Sequence, residues 1–246
     1  MTLFSQHYPP FSSAFYALVD SQVQVALAED VGTGDLTAAL VPAEQHVTAS
    51  IIAREPAIIC GQDWVNACFL QTDANIHIQW LITEGEHVQP KQVLCKITGP
   101  ARALLTAERC ALNFLQTLSA TATHTRRYVD AITGTQAQIF DTRKTLPHLR
   151  LAQKYAVTVG GGQNQRLALY DGILIKENHI AAAGGIAEVM TAAQAASSGK
   201  SVQIEVENLK QLEEALVAGG TSVLLDNFSP ALLTEAVTLN VQLGKK

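Results

Sequence analysis

The chain has 246 residues, of which 48% are hydrophobic and 6% aromatic, and its formal net charge is -5 at pH 7. This length can bury a large core, either in one barrel-like domain or in two smaller ones. The apolar stretches are too short to span a bilayer and the chain lacks a broad basic face for nucleic acid, so we expect a soluble, cytoplasmic protein that binds neither.

The first hundred residues predict an α+β layer. Apolar side chains repeat at helical spacing over residues 14–28, which predicts a helix. The loop at 29–37 is rich in turn-forming residues, and we interpret it as structural because its glycines allow left-handed backbone and Asp35 can cap the next turn. Short β-like runs at 48–53, 57–60, 76–81 and 93–98, with a helix at 63–71, predict an antiparallel sheet.

The four cysteines predict buried free thiols. Each lies in an apolar neighbourhood and no C-x-x-C pair is present. A small hydrophobic role is therefore favoured over a metal or redox role. These residues are Cys60, Cys68, Cys95 and Cys110.

A long helix begins near Arg102 and is expected to bridge two domains. Beyond it, strand-like segments at 137–140, 172–175, 202–206 and 222–225 alternate with helical ones. This alternation favours a parallel barrel or a doubly wound sheet. Between the last two strands, Asn208 is a good helix N-cap, Gln211 occupies the capping-box position and Gly219 ends the helix.

Residues 141–179 form a basic window in an otherwise acidic chain. The window holds six arginine and lysine residues against three carboxylates. Because part of it lies in apolar segments that should be buried, its charge indicates a pocket for small anions. Arg143, Lys144, Arg166 and Lys176 suit carboxylates and phosphates, and arginine can hold a planar carboxylate by two hydrogen bonds.

Charged residues also follow the predicted parallel strands. Arg143 and Lys144 follow the first strand, Lys176 the second, Glu205 ends the third and Asp226 the fourth. Since the carboxyl ends of parallel strands meet at one edge, these residues are expected to form a joint site. Two carboxylates on adjacent strands suit Mg²⁺ and ribose hydroxyls.

The glycine run at 160–162 is a weaker signal. Alone it indicates a flexible turn, whereas next to Asn164 and Arg166 it could let backbone N–H groups approach an anion. Neither a P-loop nor a dinucleotide-binding fingerprint is present in the sequence.

Several longer motifs carry a family resemblance. They are E-D-V-G-T-G-D-L-T at 29–37, L-L-T-A-E-R-C-A-L-N-F-L-Q at 104–116, and then D-T-R-K-T-L-P, G-G-G-Q-N-Q-R, L-I-K-E-N-H-I, I-E-V-E-N-L and L-L-D-N-F. In order and spacing, over nearly the whole chain, they resemble the nicotinate-nucleotide pyrophosphorylases, also called quinolinate phosphoribosyltransferases.

The resemblance implies an α/β protein, with an N-terminal α+β sandwich-like domain over residues 1–116, including the bridging helix. An α/β-barrel phosphoribosyltransferase domain follows over residues 117–246, and it is incomplete here because its C-terminal βα units are absent. The resemblance also implies transfer of a phosphoribosyl group from phosphoribosyl pyrophosphate to quinolinate with decarboxylation. The products would be nicotinate mononucleotide, carbon dioxide and pyrophosphate, in de novo NAD biosynthesis.

The resemblance further assigns the site. Quinolinate would be bound by Arg143, Gln165, Arg166 and Lys176, with Arg109 entering from a neighbouring subunit of a homodimer or dimer-based oligomer. The donor would be held by Thr142, Lys144, Glu205 and Asp226, the last two near ribose and a Mg²⁺ cofactor, directly or indirectly. The implied catalytic residues are Lys144, Lys176, Glu205 and Asp226.

Two departures from the family pattern leave alternatives open. Gln165 stands where the family usually has histidine, which removes one group that could become cationic. The sequence ends where the family continues with two more βα units, so it is either a shortened sequence or a natural truncation. A molybdenum-transport-associated relative and a non-catalytic dicarboxylate-binding protein are the alternative functions.

Overall fold

The computed structural model describes residues 3–9 and 12–244. The chain divides into an N-terminal unit, Met1–Leu167, and a C-terminal unit, Ala168–Lys246. The predicted domain boundary after Gln116 falls inside a helix of the N-terminal unit, and the outer limits of the predicted domains, residues 1 and 246, lie outside the described residues. That domain division stays a prediction.

The N-terminal unit is a mixture of helices and short strands. In chain order its elements are α1 (Leu3–His7), α2 (Ser13–Val31), a 3-10 turn (Ala38–Leu40), β1 (His46–Ile52), β2 (Ala57–Ile58), α3 (Gln62–Thr72), β3 (His77–Trp80), β4 (His87–Val88), β5 (Val93–Pro100), α4 (Ala101–Ala131) and α5 (Arg150–Val159).

The predicted antiparallel sheet is confirmed. β5 lies between β1 and β3 and pairs antiparallel with both, and β2 forms a separate antiparallel pair with β4. The sequence did not predict β4, because a strand of two residues is too short for an alternating pattern to be visible.

Helix α2 shows why the predicted helix forms and what it buries. Ser12 caps it by accepting a hydrogen bond from the Phe15 N–H at 3.2 Å, and Phe15, Val19 and Val23 lie one helical turn apart and are almost fully buried. The Phe15 ring packs edge-on against Trp64, with centroids 5.8 Å apart, and lies 5.3 Å from Tyr155. Helices α2, α3 and α5 therefore share one aromatic core.

All four cysteines are buried free thiols, as predicted. Burial raises the pKa of the Cys68 thiol to about 12 and those of Cys95 and Cys110 to about 11. The thiols are therefore protonated and unreactive at neutral pH.

The loop at 29–37 has the structural role that its sequence predicts. Asp35 Oδ1 accepts hydrogen bonds from the N–H groups of Thr37 and Ala38, each at 2.9 Å, and Oδ2 accepts one from the Thr106 hydroxyl of α4 at 2.9 Å. The bond from the Ala38 N–H is the main reason why the pKa of Asp35 lies below its usual value. One carboxylate thus caps the 3-10 turn and ties the loop to α4.

A half-buried carboxylate, which the sequence did not reveal, caps α3. Glu84 accepts hydrogen bonds from the N–H groups of Gly61 at 2.7 Å and Gln62 at 3.1 Å, and from the Tyr155 hydroxyl at 3.1 Å. Burial nevertheless raises the pKa of Glu84 above its ordinary value of 4.5. Glu84 therefore joins the start of α3 to α5 at an electrostatic cost.

Because folding raises the pKa of Glu84, the stability of the folded protein depends on pH. A carboxyl whose pKa is higher in the folded protein stabilises the fold below its unfolded pKa, and this contribution is lost as pH rises through the folded pKa. We expect Glu84→Gln, which cannot titrate, to become more stable relative to wild type as pH rises from 4 to 8. Urea unfolding of both proteins across this range measures the difference, and a constant difference contradicts the assignment.

The C-terminal unit consists of repeated strand and helix pairs. Its elements are β6 (Gly172–Ile175), α6 (Glu177–Ala183), α7 (Ile186–Ala196), β7 (Ser201–Val206), α8 (Leu209–Val217), β8 (Val223–Leu225) and α9 (Pro230–Gln242). The strands are parallel in the order β6-β7-β8, which confirms the predicted parallel sheet for these segments. The chain therefore has the α/β fold predicted, with an α+β layer first.

The capping prediction for α8 is also confirmed. Asn208 accepts a hydrogen bond from the Gln211 N–H at 3.0 Å, while the Gln211 side chain accepts one from the Glu207 N–H at 2.8 Å. Gly219 adopts φ +86°, which favours glycine. These local contacts fix the helix between β7 and β8.

The predicted strand at 137–140 is wrong. Only Phe140 makes a β-bridge, to Gln163, and this bridge is parallel. The bridge does not continue to Gly162, whose N–H donates to the Val157 carbonyl of α5. A single bridge cannot extend into a ladder.

Among the described residues, no helix combines the length and the apolar character needed to cross a membrane. Helix α4 is long enough, at 31 residues, but it carries Arg102, Glu108 and Arg109 in its first three turns.

Candidate functional site

The centre of the basic window is a buried carboxylate, Asp141. Its Oδ1 accepts hydrogen bonds from Lys154 Nζ at 2.6 Å and from the Gln165 N–H at 2.9 Å, and its Oδ2 accepts one from Asn164 Nδ2 at 2.8 Å. The side chain of Lys154 is 0% exposed and that of Asp141 is 7% exposed. Asp141 therefore accepts hydrogen bonds from three other residues in a largely water-free environment.

Backbone hydrogen bonds add to this arrangement. The Asp141 N–H donates to the Gln163 carbonyl at 3.1 Å, and the Gln163 N–H donates to the Ile139 carbonyl at 2.8 Å. Asn164 Nδ2 also donates to the carbonyl of Lys154 at 3.0 Å. The segments 139–141 and 163–165 are thus fixed to each other and to α5.

Two arginines extend from these fixed segments. Arg143 follows Asp141 by two residues and Arg166 directly follows Gln165. Burial lowers the pKa of Arg166, and the positive charge of Arg143 lowers it further, so the two guanidinium groups repel each other. Arg143 Nε is buried without a hydrogen-bond partner among the described residues. This concentration of positive charge suits a ligand with two negative groups.

The loop after Asp141 is held by α5. Arg150 Nε donates to the Thr145 hydroxyl at 3.2 Å, and the Leu146 N–H donates to Gln153 Oε1 at 2.8 Å. Within the loop, the Lys144 N–H donates to the Thr142 hydroxyl at 3.0 Å, and the Lys144 side chain is exposed. Thr142 therefore shapes the turn that presents Lys144 to solvent.

The glycine run does not form an anion cradle. The N–H groups of Gly160, Gly161 and Gly162 all donate to carbonyls of α5, at 2.9, 3.0 and 2.9 Å. A Cβ on Gly160 would lie 2.5 Å from the Ala122 carbonyl oxygen, and Gly161 adopts φ +91°. The run is thus required for the close approach of α5 to α4, which corrects the expectation that these N–H groups bind an anion.

Arg109 lies elsewhere in the N-terminal unit. It is an exposed residue of α4 and lines an open pocket of about 510 Å³. The pocket is also lined by Asp35, Thr106 and two leucines, of which Leu36 is 88% exposed and Leu105 is 48% exposed. Among the described residues, Arg143 and Arg166 are not part of this lining.

In the C-terminal unit, three charged residues meet at the carboxyl ends of adjacent strands. Lys176 directly follows β6, Glu205 lies near the end of β7 and Asp226 directly follows β8. Lys176 Nζ donates to both Glu205 oxygens, at 3.0 and 2.9 Å. This bond is the main reason why the pKa of Lys176 is raised, with smaller contributions from Glu177 and Asp226. Lys176 therefore stays cationic at neutral pH.

The carboxylates of the C-terminal unit suit a metal ion that is also bound by substrate phosphates and water. They suit less well a metal ion bound by protein side chains alone. Glu205 bonds to Lys176 through both oxygens, and Asp226 Oδ2 accepts from Asn227 Nδ2 at 2.8 Å. No cluster of three or more potential metal-binding side chains occurs in the part of the chain that the structure describes. Mg²⁺ commonly takes one or two carboxylates and completes its shell with substrate phosphates and water.

The sequence did not reveal the roles of Asp141, Lys154 and Asn164. A charged residue in the apolar stretch L-A-Q-K-Y-A-V was the available signal, because a buried lysine needs a nearby carboxylate. Its partner is 13 residues away along the chain, so spacing alone could not identify it.

Protein-family models match two consecutive parts of the chain, residues 35–119 and 121–246. A family model described as the N-terminal domain of quinolinate phosphoribosyl transferase matches residues 35–119, and the model of its C-terminal domain matches residues 121–246. The probable nicotinate-nucleotide pyrophosphorylase (carboxylating) of Bacillus subtilis is 43% identical over 203 residues, which are 82% of this chain and 70% of the relative. The corresponding Mycobacterium leprae protein is 43% identical and covers 84% of this chain and 74% of its own length.

Solved structures give the same result for the fold. The nicotinate-nucleotide pyrophosphorylase from Francisella tularensis has a TM-score of 0.88 and 45% identity, over 92% of this chain and 81% of that one. The one from Ehrlichia chaffeensis has a TM-score of 0.87 and 33% identity, over 91% and 82%.

Proposed function

Because the chain belongs to the quinolinate phosphoribosyltransferase family, we propose that it transfers a phosphoribosyl group from phosphoribosyl pyrophosphate to quinolinate and releases carbon dioxide. The products are nicotinate mononucleotide and pyrophosphate, in NAD biosynthesis. The observation that supports this best is the pair of arginines, Arg143 and Arg166, which extend from segments fixed by one buried carboxylate. Quinolinate carries two carboxylates on adjacent ring carbons, which two guanidinium groups can bind.

Cationic and polar side chains suit the proposed binding of quinolinate. Arg143 and Arg166 of the N-terminal unit bind carboxylates, and Gln165 beside them offers a neutral hydrogen-bond donor. Lys176 is a further cation assigned to quinolinate, and its Nζ donates to both Glu205 oxygens. Because Asp141 already holds the segments before Arg143 and Arg166, little reorganisation of these segments is expected on binding.

The donor is assigned to Thr142, Lys144, Glu205 and Asp226. The exposed ammonium of Lys144 suits the pyrophosphate, and the two carboxylates suit ribose hydroxyls. We propose that Glu205 and Asp226 also hold Mg²⁺, directly or through water, and this ion would neutralise the phosphates of the donor.

In the proposed reaction, the pyridine nitrogen attacks the anomeric carbon of the donor while the bond to pyrophosphate breaks. No side-chain nucleophile is required, so the protein's tasks are orientation and charge stabilisation. The ring nitrogen becomes a cationic pyridinium, whose positive charge stabilises the electron pair left on the adjacent ring carbon when carbon dioxide departs. A proton then replaces the lost carboxylate.

One assay tests this function. The chain is incubated with quinolinate, phosphoribosyl pyrophosphate and Mg²⁺, and nicotinate mononucleotide is measured by chromatography. Product formation supports the proposal. If no product forms and calorimetry shows binding of quinolinate but not of the donor, a dicarboxylate-binding protein is favoured instead.

We further propose a cytoplasmic homodimer in which Arg109 acts in the partner's site. Support comes from the exposure of Arg109 next to the exposed apolar side chains of Leu36 and Leu105, since exposed apolar patches mark interfaces. The four free thiols suit a reducing compartment.

Subunit mixing tests the role of Arg109. Arg109→Ala and Arg143→Ala are expected to be nearly inactive separately. A mixed dimer contains one site with both defects and one site with neither, so refolding the two variants together should restore activity. The activity measured in the mixture checks this, and a mixture no more active than its components contradicts a shared site.

A further inference from the structure

We infer that Asp141 is a positioning residue, which fixes the separation between the guanidinium groups of Arg143 and Arg166 and so gives the site its preference for a dicarboxylate over a monocarboxylate. The inference rests on the proposed function, because it concerns the binding of quinolinate by these two arginines. Asp141 itself does not have to touch the substrate.

The hydrogen bonds of Asp141 join three separate parts of the N-terminal unit. Lys154 lies on α5, Asn164 and Gln165 lie on the segment before Arg166, and Asp141 lies on the segment before Arg143. The Asp141 N–H also donates to the Gln163 carbonyl, in the segment before Arg166. Side chain and backbone of one residue therefore hold both arginine-bearing segments against the same helix.

The short distance along the chain transmits this restraint. Arg166 is the residue directly after Gln165, whose N–H donates to Asp141. Arg143 lies two residues after Asp141. Consecutive Cα atoms are about 3.8 Å apart, so neither arginine backbone can move far while the hydrogen bonds persist. Arg150 further restrains the Arg143 segment, through its bond to Thr145.

The restraint opposes a repulsion between like charges. Without a ligand, the two guanidinium groups would be further apart if the segments were free to move. A ligand with carboxylates on adjacent ring carbons can pair with both groups only when they stay close. A monocarboxylate pairs with one group, so its binding depends much less on their separation.

The experiment compares benzene-1,2-dicarboxylate with benzoate as ligands, by calorimetry on the full chain. Neither compound can react, because neither has the ring nitrogen. We expect wild type to prefer the dicarboxylate by tenfold or more, on the order of one bidentate pair. Asp141→Asn should reduce this preference about tenfold, mainly by weakening dicarboxylate binding, since the amide cannot accept all three hydrogen bonds.

Two further variants separate positioning from stability. Asn164→Ala keeps the Asp141–Lys154 ion pair and removes one of the bonds between the segments, so it should lower the preference by a smaller factor even if Asp141→Asn does not fold. Glu84→Gln changes another hydrogen-bonded carboxylate of the same unit, which takes no part in the hydrogen bonds of Asp141, and should leave the ratio at the wild-type value.

The outcomes are distinct. Partial unfolding lowers the number of binding sites for both ligands and leaves the ratio of their affinities unchanged, so a changed ratio in Asp141→Asn and Asn164→Ala supports positioning. A wild-type ratio in folded Asp141→Asn overturns the inference alone. A wild-type protein that binds neither compound contradicts the proposed function and the inference with it.

Discussion

Arg143→Ala is expected to lower kcat/KM for nicotinate mononucleotide formation by about 30-fold to several thousandfold. This range corresponds to about 2–5 kcal/mol, the usual cost of removing one member of a desolvated charge pair. The side chain of Arg143 is partly buried, and its buried Nε has no hydrogen-bond partner among the described residues, so this donor is unsatisfied without a ligand. Initial rates at varied quinolinate concentration measure the loss.

The control variants for this prediction lie in the same unit. Arg127→Ala removes an exposed arginine of α4 and should keep wild-type activity. Arg143→Lys keeps the charge but loses the planar fork, so it should recover only part of the rate. Lys144→Ala should cause a loss similar to that of Arg143→Ala, with a higher KM for the donor. Near-normal activity in Arg143→Ala or Lys144→Ala contradicts the site, provided that circular dichroism shows a folded protein.

The second large effect is on stability. Asp141→Asn is expected to lower the free energy of unfolding by about 3–5 kcal/mol, because it leaves the buried ammonium of Lys154 without its carboxylate. The amide also places a donor against Asn164 Nδ2 or the Gln165 N–H, which both donate in the wild type. Urea unfolding at pH 7 measures the change.

A double-mutant cycle tests the cause. Lys154→Met removes the ammonium while keeping a similar length, and the double variant with Asp141→Asn has no uncompensated charge. The double variant is therefore expected to be more stable than Asp141→Asn alone. Equal losses in the double variant and in Asp141→Asn would show that the ion pair contributes little, and a loss below about 1 kcal/mol in Asp141→Asn would contradict its central role.

Features fixed by neighbouring residues could be predicted from the sequence. The cap of α8 involves Asn208 and Gln211, three residues apart, and the burial of Phe15, Val19 and Val23 follows a simple helical period. The parallel strands after residue 171 were visible because each is a short apolar run followed by a helical pattern. The carboxyl ends of these strands then gave the positions of Lys176, Glu205 and Asp226.

Features fixed by distant residues could not be predicted in this way. Residues 137–140 look like a strand, yet a strand needs a partner, and among the described residues this segment makes one β-bridge, from Phe140 to Gln163. The glycines at 160–162 look like an anion loop, but the proximity of the Ala122 carbonyl on α4 accounts for Gly160. The apolar stretch around Lys154 was a local signal, but lysine is rarely buried and the stretch could not identify Asp141, 13 residues away, as the partner of Lys154.

Helix α5 has a consequence for the mutational tolerance of this protein. Within two turns, Arg150 and Gln153 hold the loop of Lys144, Lys154 bonds to Asp141 and Tyr155 bonds to Glu84. In a saturation mutagenesis screen scored by growth, this helix would therefore resemble an active-site segment. Its intolerance would reflect the support of neighbouring residues, and not contact with either substrate.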